Sequence, residues 1–379
     1  MESPHTRARG VVVAHDYFTQ RGGAERVALE LAHRLGAVEV VTSVYQPDQT
    51  FGSARTYPIH ELDSRIVKRF GSDPRKALPF LASAWKAHPP IEADALVCSS
   101  SGWAHGLRAA AGTRKIVYCH NPARWLYQHE DYTRGMSAAV RFALASLSPS
   151  LRRWDAAAAA SADVYVANST SVADRIYRVY GIEAQVVYPP ISIDVTGSAE
   201  SIPGLDGGFF LTVARPRGYK GTEVLHDAFA LMPSQRLVVV GADRSQPAPD
   251  NVTALGHVSD EQLRWLYAHA RALISVSHED FGLTPIEANA FGTPALVLRA
   301  GGFLDSTHEG VSGLFIEHDT VSSVVEAVSA FPDRFDRAAI VRHAARFSPE
   351  EFGARMDAII RGTQASAGSH HGAQHPAAA

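Results

Sequence analysis

The chain has 379 residues, of which 46% are hydrophobic and 20% charged, with a formal net charge of −3. That length accommodates two domains of roughly 150–200 residues each, and the near-neutral charge leaves no global footprint of a nucleic-acid binder. No apolar run reaches the roughly 18 residues that a membrane-spanning helix needs.

Met1–Arg9 is polar and basic, and the apolar stretch behind it, Val11–Ala14, is too short for a signal-peptide core. We therefore expect a cytoplasmic protein whose first strand is Val11–His15. Short β-branched runs then alternate with helical segments. Val38–Val44, Ala95–Cys98, Lys115–His120, Asp163–Asn168 and Gln185–Tyr188 read as buried strands. A second series comprises Phe209–Val213, Arg236–Gly241, Val252–Leu255, Ala272–Val276, Ala295–Leu298 and Gly313–Ile316. Between them lie amphipathic segments such as Ala24–Leu35, and Ala156–Ala160 belongs to a helix on propensity. This alternation predicts parallel sheets flanked by helices, with ligands at the carboxyl ends of the strands.

Pro189-Pro190 through Gly207-Gly208 lacks periodicity and reads as a linker, which puts a cleft between two units. The only two cysteines, Cys98 and Cys119, sit inside apolar runs, which fits a reducing compartment and argues against a disulfide scaffold. The segment 63–90 interleaves Arg65, Lys68, Arg69, Arg75, Lys76 and Lys86 with Leu78, Phe80, Leu81 and Trp85. It suits either the surface of an anionic membrane or a solvated helix with a packed inner face. Residues 363–379, rich in Ala, Gly, Ser and His, read as a disordered tail.

The strongest local signal runs from His278 to Ala290, directly after the expected strand Ala272–Val276. Pro285 suits the first position of a helix with Thr284 as its N-cap. The loop Asp280–Leu283 then presents backbone N–H groups at a helix N-terminus, an anion site that Gly282 lets a phosphate approach. Thr284-Pro285-Ile286-Glu287 also fits a capping box, so Glu287 has a purely structural alternative. Glu279 equally has the alternative of a solvated loop carboxylate.

Taken together, His-Glu-Asp-Phe-Gly-Leu-Thr-Pro-Ile-Glu-Ala with Glu279-x7-Glu287 resembles the signature of family 4 glycosyltransferases with the GT-B fold. Phe291–Pro294, Gly301-Gly302, Gly310–Leu314 and the basic loop Val213–Gly221 resemble the same family, and the likeness covers residues 10 to 360. It implies two Rossmann-like doubly wound α/β domains facing across a cleft. The acceptor domain is expected at 10–190, the donor domain at 205–345, and a helix at 346–362 packing back on the first domain.

By that resemblance Arg215 and Lys220 neutralise the donor diphosphate, whose charge grows as the glycosidic bond breaks. Glu287 grips the nucleotide ribose, and Glu279 lies near the sugar hydroxyls and the phosphate. Phe281, Gly282, Leu283 and Thr284 line the sugar and phosphate pocket, while Gly256 and Val258 meet the base. Gly22 and Gly23 form a loop facing the donor phosphates or the acceptor; they fit neither the dinucleotide-binding nor the P-loop pattern. His120 lies close to the transferred sugar, although a strand-end histidine is by default structural. Arg124, Trp125, Tyr127, Trp103 and His105 are acceptor contacts, with core packing as the alternative for the two tryptophans.

The implied reaction is transfer of a sugar from a nucleoside-diphosphate sugar to a hydroxyl with retention of configuration, by front-face attack. The donor expected first is GDP-mannose, from a likeness to bacterial polysaccharide mannosyltransferases. The acceptor is a glycan, a lipid-linked sugar or a small molecule. No cofactor or metal is expected, because Arg215 and Lys220 take the metal's task. Two alternatives stand beside this reading: a GT-B nucleotide-sugar epimerase, and a catalytically silent relative that only binds.

Overall fold

The computed structural model describes residues 10–65, 67, 78–128, 138–213, 221–241 and 248–363. Arg215 and Lys220, the residues Lys68, Arg69, Arg75 and Lys76 of the basic segment, and nearly all of the tail lie outside the described residues.

Two parallel sheets carry the described chain. The first has strands β1 (Val11–His15), β2 (Glu39–Thr42), β3 (Ile59–Glu61), β4 (Ala95–Ser100), β5 (Arg114–Cys119), β6 (Val164–Ala167) and β7 (Gln185–Val186), in the order 3-2-1-4-5-6-7. The second has β8 (Phe210–Val213), β9 (Leu237–Val240), β10 (Val252–Gly256), β11 (Ala272–Ser275), β12 (Ala295–Leu298) and β13 (Gly313–Ile316), in the order 10-9-8-11-12-13. Every ladder is parallel. Because helices cover both faces of such sheets, their strands are continuous apolar runs rather than alternating ones. Val12–Ala14 and Leu296–Val297 are fully buried for this reason.

β3 is a strand that the hydrophobic pattern does not announce. Its three residues are largely exposed at a sheet edge, so burial left no imprint on their sequence.

Each face of the first sheet has its own apolar cluster. One holds Val12, Leu96, Cys98 and Val117; the other holds Val13, Leu31, Val97 and Tyr118. Phe352, Met356 and Ile359 of the last helix, Pro349–Arg361, complete the second cluster. Thus the chain, after building the second sheet, returns to the first. Ser348 starts that helix by accepting a bond from Glu351 N at 3.2 Å, with Pro349 next in line, where its missing N–H would have had no helical partner. Both cysteines are buried free thiols.

Candidate active site

In both sheets the strand order reverses beside the first strand, between β1 and β4 and between β8 and β11. A crevice opens outside the carboxyl ends of the strands at such a reversal, and ligands of open parallel sheets bind there. The residues at the carboxyl ends of these strands are His15, Asp16, Ser99 and Ser100 in the first sheet, and Ser277–Asp280 lie just past β11 in the second.

The loop after β11 is held by close backbone packing. Gly302 N donates to Glu279 O at 2.9 Å. A Cβ on Gly302 would overlap the backbone of Asp280 and Phe281, and one on Gly301 would press on Glu279 O. The Gly-Gly pair therefore exists to let this segment lie against the loop. Glu279 is half-buried and its Oε1 accepts from Ser277 Oγ at 3.0 Å.

The helix that follows is Leu283–Ala290, and its N-cap is Gly282, at φ +83°. Thr284 is inside the helix rather than at its cap, which corrects the reading from Pro285: the glycine's left-handed backbone turns the chain two residues earlier. A Cβ on Gly282 would also run into the Phe303 ring. Phe281 is corrected too. Its ring is buried against Tyr188 and Phe347, at centroid separations of 5.7 and 5.8 Å, so its side chain packs a core and leaves only its backbone for a ligand. Leu283 and Thr284 are half-buried at the helix start.

Gly22 is the N-cap of the Gly23–Arg34 helix in the first sheet's half. An added Cβ on Gly23 would stand 3.1 Å from Leu283 Cδ1. The Gly-Gly loop and the Leu283 helix start are thus brought close together across the cleft.

Glu287 is buried, and its carboxylate is bonded to side chains rather than to the backbone of its own helix start. Oε1 accepts from Ser192 Oγ at 2.6 Å and Oε2 from Tyr267 Oη at 2.9 Å. That removes the capping-box alternative. Gly256, at φ +67°, ends β10, and Val258 beyond it is half-buried against the Leu255 and Leu266 cluster.

On the other wall, His120 at the end of β5 is 8% exposed. Its Nε2 lies 2.8 Å from Ser99 Oγ, and His15 Nδ1 lies 3.1 Å from the same oxygen. Burial lowers the His120 pKa from the ordinary 6.5 to about 4, against the pull of the Asp280 carboxylate. Burial together with neighbouring His120 takes His15 to about 3. Beside them Asp16 is buried, accepting from Ser101 N at 2.7 Å, Ala104 N at 2.6 Å and Ser100 Oγ at 3.2 Å. Desolvation raises its pKa and these N–H groups oppose the rise.

Four of the five expected acceptor contacts are packed into the protein, three of them buried and Tyr127 half-buried. Trp103 and Trp125 stack at 4.4 Å with 4° between their planes and are 3% and 6% exposed. His105 faces the buried Asp155 at 3.0 Å, and Tyr127 donates to that carboxylate at 2.8 Å. Aromatic bulk and a paired charge explain these positions without a ligand. Arg124 differs: it pairs with Asp280 from across the cleft, alongside Arg175 at 2.7 Å and Asn121 Nδ2 at 3.1 Å. A second link joins Asp305 to Thr170 N at 2.9 Å and Tyr188 Oη at 3.1 Å. Asp280 entered the sequence reading only as part of the loop backbone, and the side chains of Asp16, Ser99, Asn121, Arg175 and Asp305 had no role in it, since their partners are far away along the chain. Among the described residues, no group of three or more His, Cys, Asp or Glu side chains is arranged to hold a metal, and no helix is long and apolar enough to cross a membrane.

Comparisons with known proteins agree with this arrangement. The model of glycosyl transferases group 1 matches residues 198–345, and that of Glycosyltransferase Family 4 matches residues 21–195. D-inositol 3-phosphate glycosyltransferase 1 of Catenulispora acidiphila is 30% identical, with 90% of each chain covered. D-inositol 3-phosphate glycosyltransferase of Mycolicibacterium smegmatis is 28% identical over 57% of this chain and 55% of that protein. Among solved structures, sucrose-phosphate synthase from Thermosynechococcus elongatus superposes with a TM-score of 0.66 at 18% identity, covering 93% of this chain and 99% of that one. Anabaena HepE in complex with UDP and glucose superposes with a TM-score of 0.65 at 17% identity, covering 92% and 99%. At those identities the structural likeness establishes the fold, GT-B. With a relative 30% identical along 90% of both chains and adjoining family matches on either side of the cleft, the chain belongs to glycosyltransferase family 4 and is a sugar-transferring enzyme that uses nucleotide sugars.

Proposed function

We propose that the protein transfers a sugar from a nucleoside-diphosphate sugar to a hydroxyl of a glycan, lipid-linked or small-molecule acceptor with retention of configuration, and that GDP-mannose is the donor. The observation that carries the donor site is the meeting of Gly23 with Leu283, where two helix N-termini converge beside Glu279 and Glu287. Two helix starts concentrate unpaired N–H groups and positive dipole ends on one spot, which favours a diphosphate. Arg215 and Lys220, which follow β8 in the sequence, are assigned the remaining positive charge. This reading assigns charge neutralisation to those side chains instead of a metal. His120 and Glu279 contact the sugar, and Glu287 contacts the ribose. Because the sequence relatives carry the name D-inositol 3-phosphate glycosyltransferase, inositol phosphate belongs in the acceptor panel beside lipid-linked glycans.

The test is calorimetric binding of GDP, UDP and their sugars to the purified protein in EDTA, repeated on Lys220→Ala and Arg215→Ala, followed by turnover with the donor that binds. Selective GDP binding, and turnover reduced roughly 10²–10³-fold in each variant, are expected. Selective UDP binding discards the mannose donor and keeps the reaction. Near-normal turnover in both variants discards the diphosphate assignment, and binding that appears only after adding a divalent cation discards the metal-free one.

A further inference from the structure

Ser99 is fully buried, and its hydroxyl stands between two imidazoles: His15 Nδ1 at 3.1 Å and His120 Nε2 at 2.8 Å. His15 Nδ1 is also 3.1 Å from the Ser99 carbonyl oxygen. A carbonyl only accepts, so His15 carries its proton on Nδ1 and points it at the Ser99 carbonyl and hydroxyl oxygens. The hydroxyl has a single proton of its own. Were His120 Nε2 also protonated, the hydroxyl would face two N–H donors, and its own proton would be buried with no acceptor between them. Leaving one buried donor unmatched is costly, whereas donating to an unprotonated His120 Nε2 satisfies all three groups. A neutral imidazole with a bare Nε2 carries its proton on Nδ1.

We infer that Ser99, oriented by His15, is a positioning residue that locks His120 in the Nδ1–H tautomer, so that His120 offers the cleft a hydrogen-bond donor for a hydroxyl oxygen of the transferred sugar. This rests on the proposed placement of His120 at the sugar. The two rings stay neutral because they are buried, so the donor is an imidazole N–H and not an imidazolium. Other groups facing the pair leave this order intact. Phe18 lies against the His15 ring and Tyr118 against the His120 ring, at 4.8 and 5.4 Å. The Tyr118 hydroxyl is committed to Val187 O at 2.9 Å. The relay runs in one direction, from His15 to Ser99 to His120, and its end is the most exposed of the three: His120 is 8% exposed, His15 and Ser99 2% and 0%.

The tautomer is read directly from two-bond proton–nitrogen correlations of the histidine rings in the full-length, nitrogen-15-labelled protein at neutral pH, with His120 assigned by its disappearance in His120→Gln. The wild type is expected to show His120 protonated on Nδ1. Ser99→Ala removes the donor, and the ring is expected to shift toward the Nε2–H form that free imidazole side chains favour. Turnover should fall about tenfold, the worth of one hydrogen bond, with the donor KM nearly unchanged. His15→Leu should reproduce part of that loss, and His15→Asn, which keeps an N–H near the Nδ1 position, should restore it; this pair decides the matter if Ser99→Ala fails to fold. A wild-type His120 protonated on Nε2 overturns the inference, as does a tautomer indifferent to both Ser99→Ala and His15→Leu. A tautomer that shifts while kcat stays the same overturns the positioning role. Absence of turnover in the wild type with every donor sinks the proposed function instead, and the ring correlations still decide the relay because they need no substrate.

Discussion

Ser192 donates its hydroxyl to Glu287 Oε1 at 2.6 Å, and Arg26 donates to that same serine's oxygen at 2.9 Å. A residue of the linker thereby connects the Gly23–Arg34 helix of one half with the Leu283–Ala290 helix of the other. The cleft is not simply two sheets set side by side: the acid expected at the nucleotide is tied to the helix that starts with the Gly-Gly loop.

A carboxylate has about four acceptor positions, and Ser192 and Tyr267 occupy two of those on Glu287, so room remains for a ribose hydroxyl. Glu287→Gln replaces one acceptor oxygen by an NH2 group that faces a hydroxyl donor. Stability should fall by about 2 kcal/mol, the range for a hydrogen bond to a charged group. Nucleotide affinity should fall by about tenfold through the lost ribose contact. Calorimetry and thermal unfolding on the same preparation separate the two effects. Unfolding at a lower temperature with unchanged affinity would assign Glu287 to structure alone.

Asp280 receives Asn121, Arg124 and Arg175 from the opposite wall, which makes it the most heavily shared carboxylate across the cleft among the described residues. Arg124 is well exposed, so screening leaves each ion pair on the order of 1 kcal/mol or less. Asp280→Ala and Arg175→Ala should each destabilise modestly, and the double variant should be less destabilised than their sum by roughly 0.5–1 kcal/mol. Urea unfolding of the four proteins measures this coupling. Strict additivity would show that the pair contributes nothing in solution.

These examples mark what was readable in the sequence. β1, β12 and β13 lie where the sequence pattern puts them, because buried parallel strands are continuous β-branched runs, and the helix Pro349–Arg361 lies within the 346–362 that the family resemblance implied. The motif loop follows β11 as its position in the sequence indicates, but the helix after it starts at Leu283, ahead of the start that Pro285 suggested. What was not readable is the direction of side chains and their distant partners. Phe281 and the Trp103–Trp125 pair sit in ligand-like motifs yet turn inward, since a motif fixes a place along the chain and packing fixes the side that faces solvent. Asp16 bonds to Ala104, and Asp280 to Asn121, across separations that no local pattern reports.

The neutral histidines at the first sheet's rim make stability depend on pH. In the unfolded chain His15 and His120 protonate near 6.5, whereas in the folded one they do so near 3 and 4. Their contribution is therefore complete above about pH 6.5 and declines as the pH falls toward 4, because the unfolded state binds protons that the folded state refuses. Each such histidine accounts for about 1.4 kcal/mol per pH unit within that window. Urea midpoints at pH 7, 6 and 5 should drop more steeply for the wild type than for His120→Phe. Comparing the two cancels the carboxylates that titrate over the same range. Equal slopes would mean that His120 is as solvated in the folded state as in the unfolded one.

Gly302 and Gly282 fail differently when given a side chain, and the difference tests what the motif glycines do. Gly282 has a left-handed backbone, and its added methyl would strike the Phe303 ring, so Gly282→Ala combines conformational strain with a clash against a side chain that has some freedom to shift. Gly302, at φ −72°, has an ordinary backbone, and its methyl would meet the main chain of Asp280 and Phe281. The main chain there yields only by moving the whole segment that carries Glu279 and Asp280. Gly282→Ala should therefore act chiefly on stability, lowering it by about 1–3 kcal/mol. Gly302→Ala should act chiefly on turnover, since a displacement of about 1 Å in a catalytic group costs on the order of 10²-fold. Melting temperature and kcat measured on both variants decide between them. If Gly302→Ala keeps its turnover, the loop has a way to accommodate the methyl, and the glycine pair has some task other than seating Glu279.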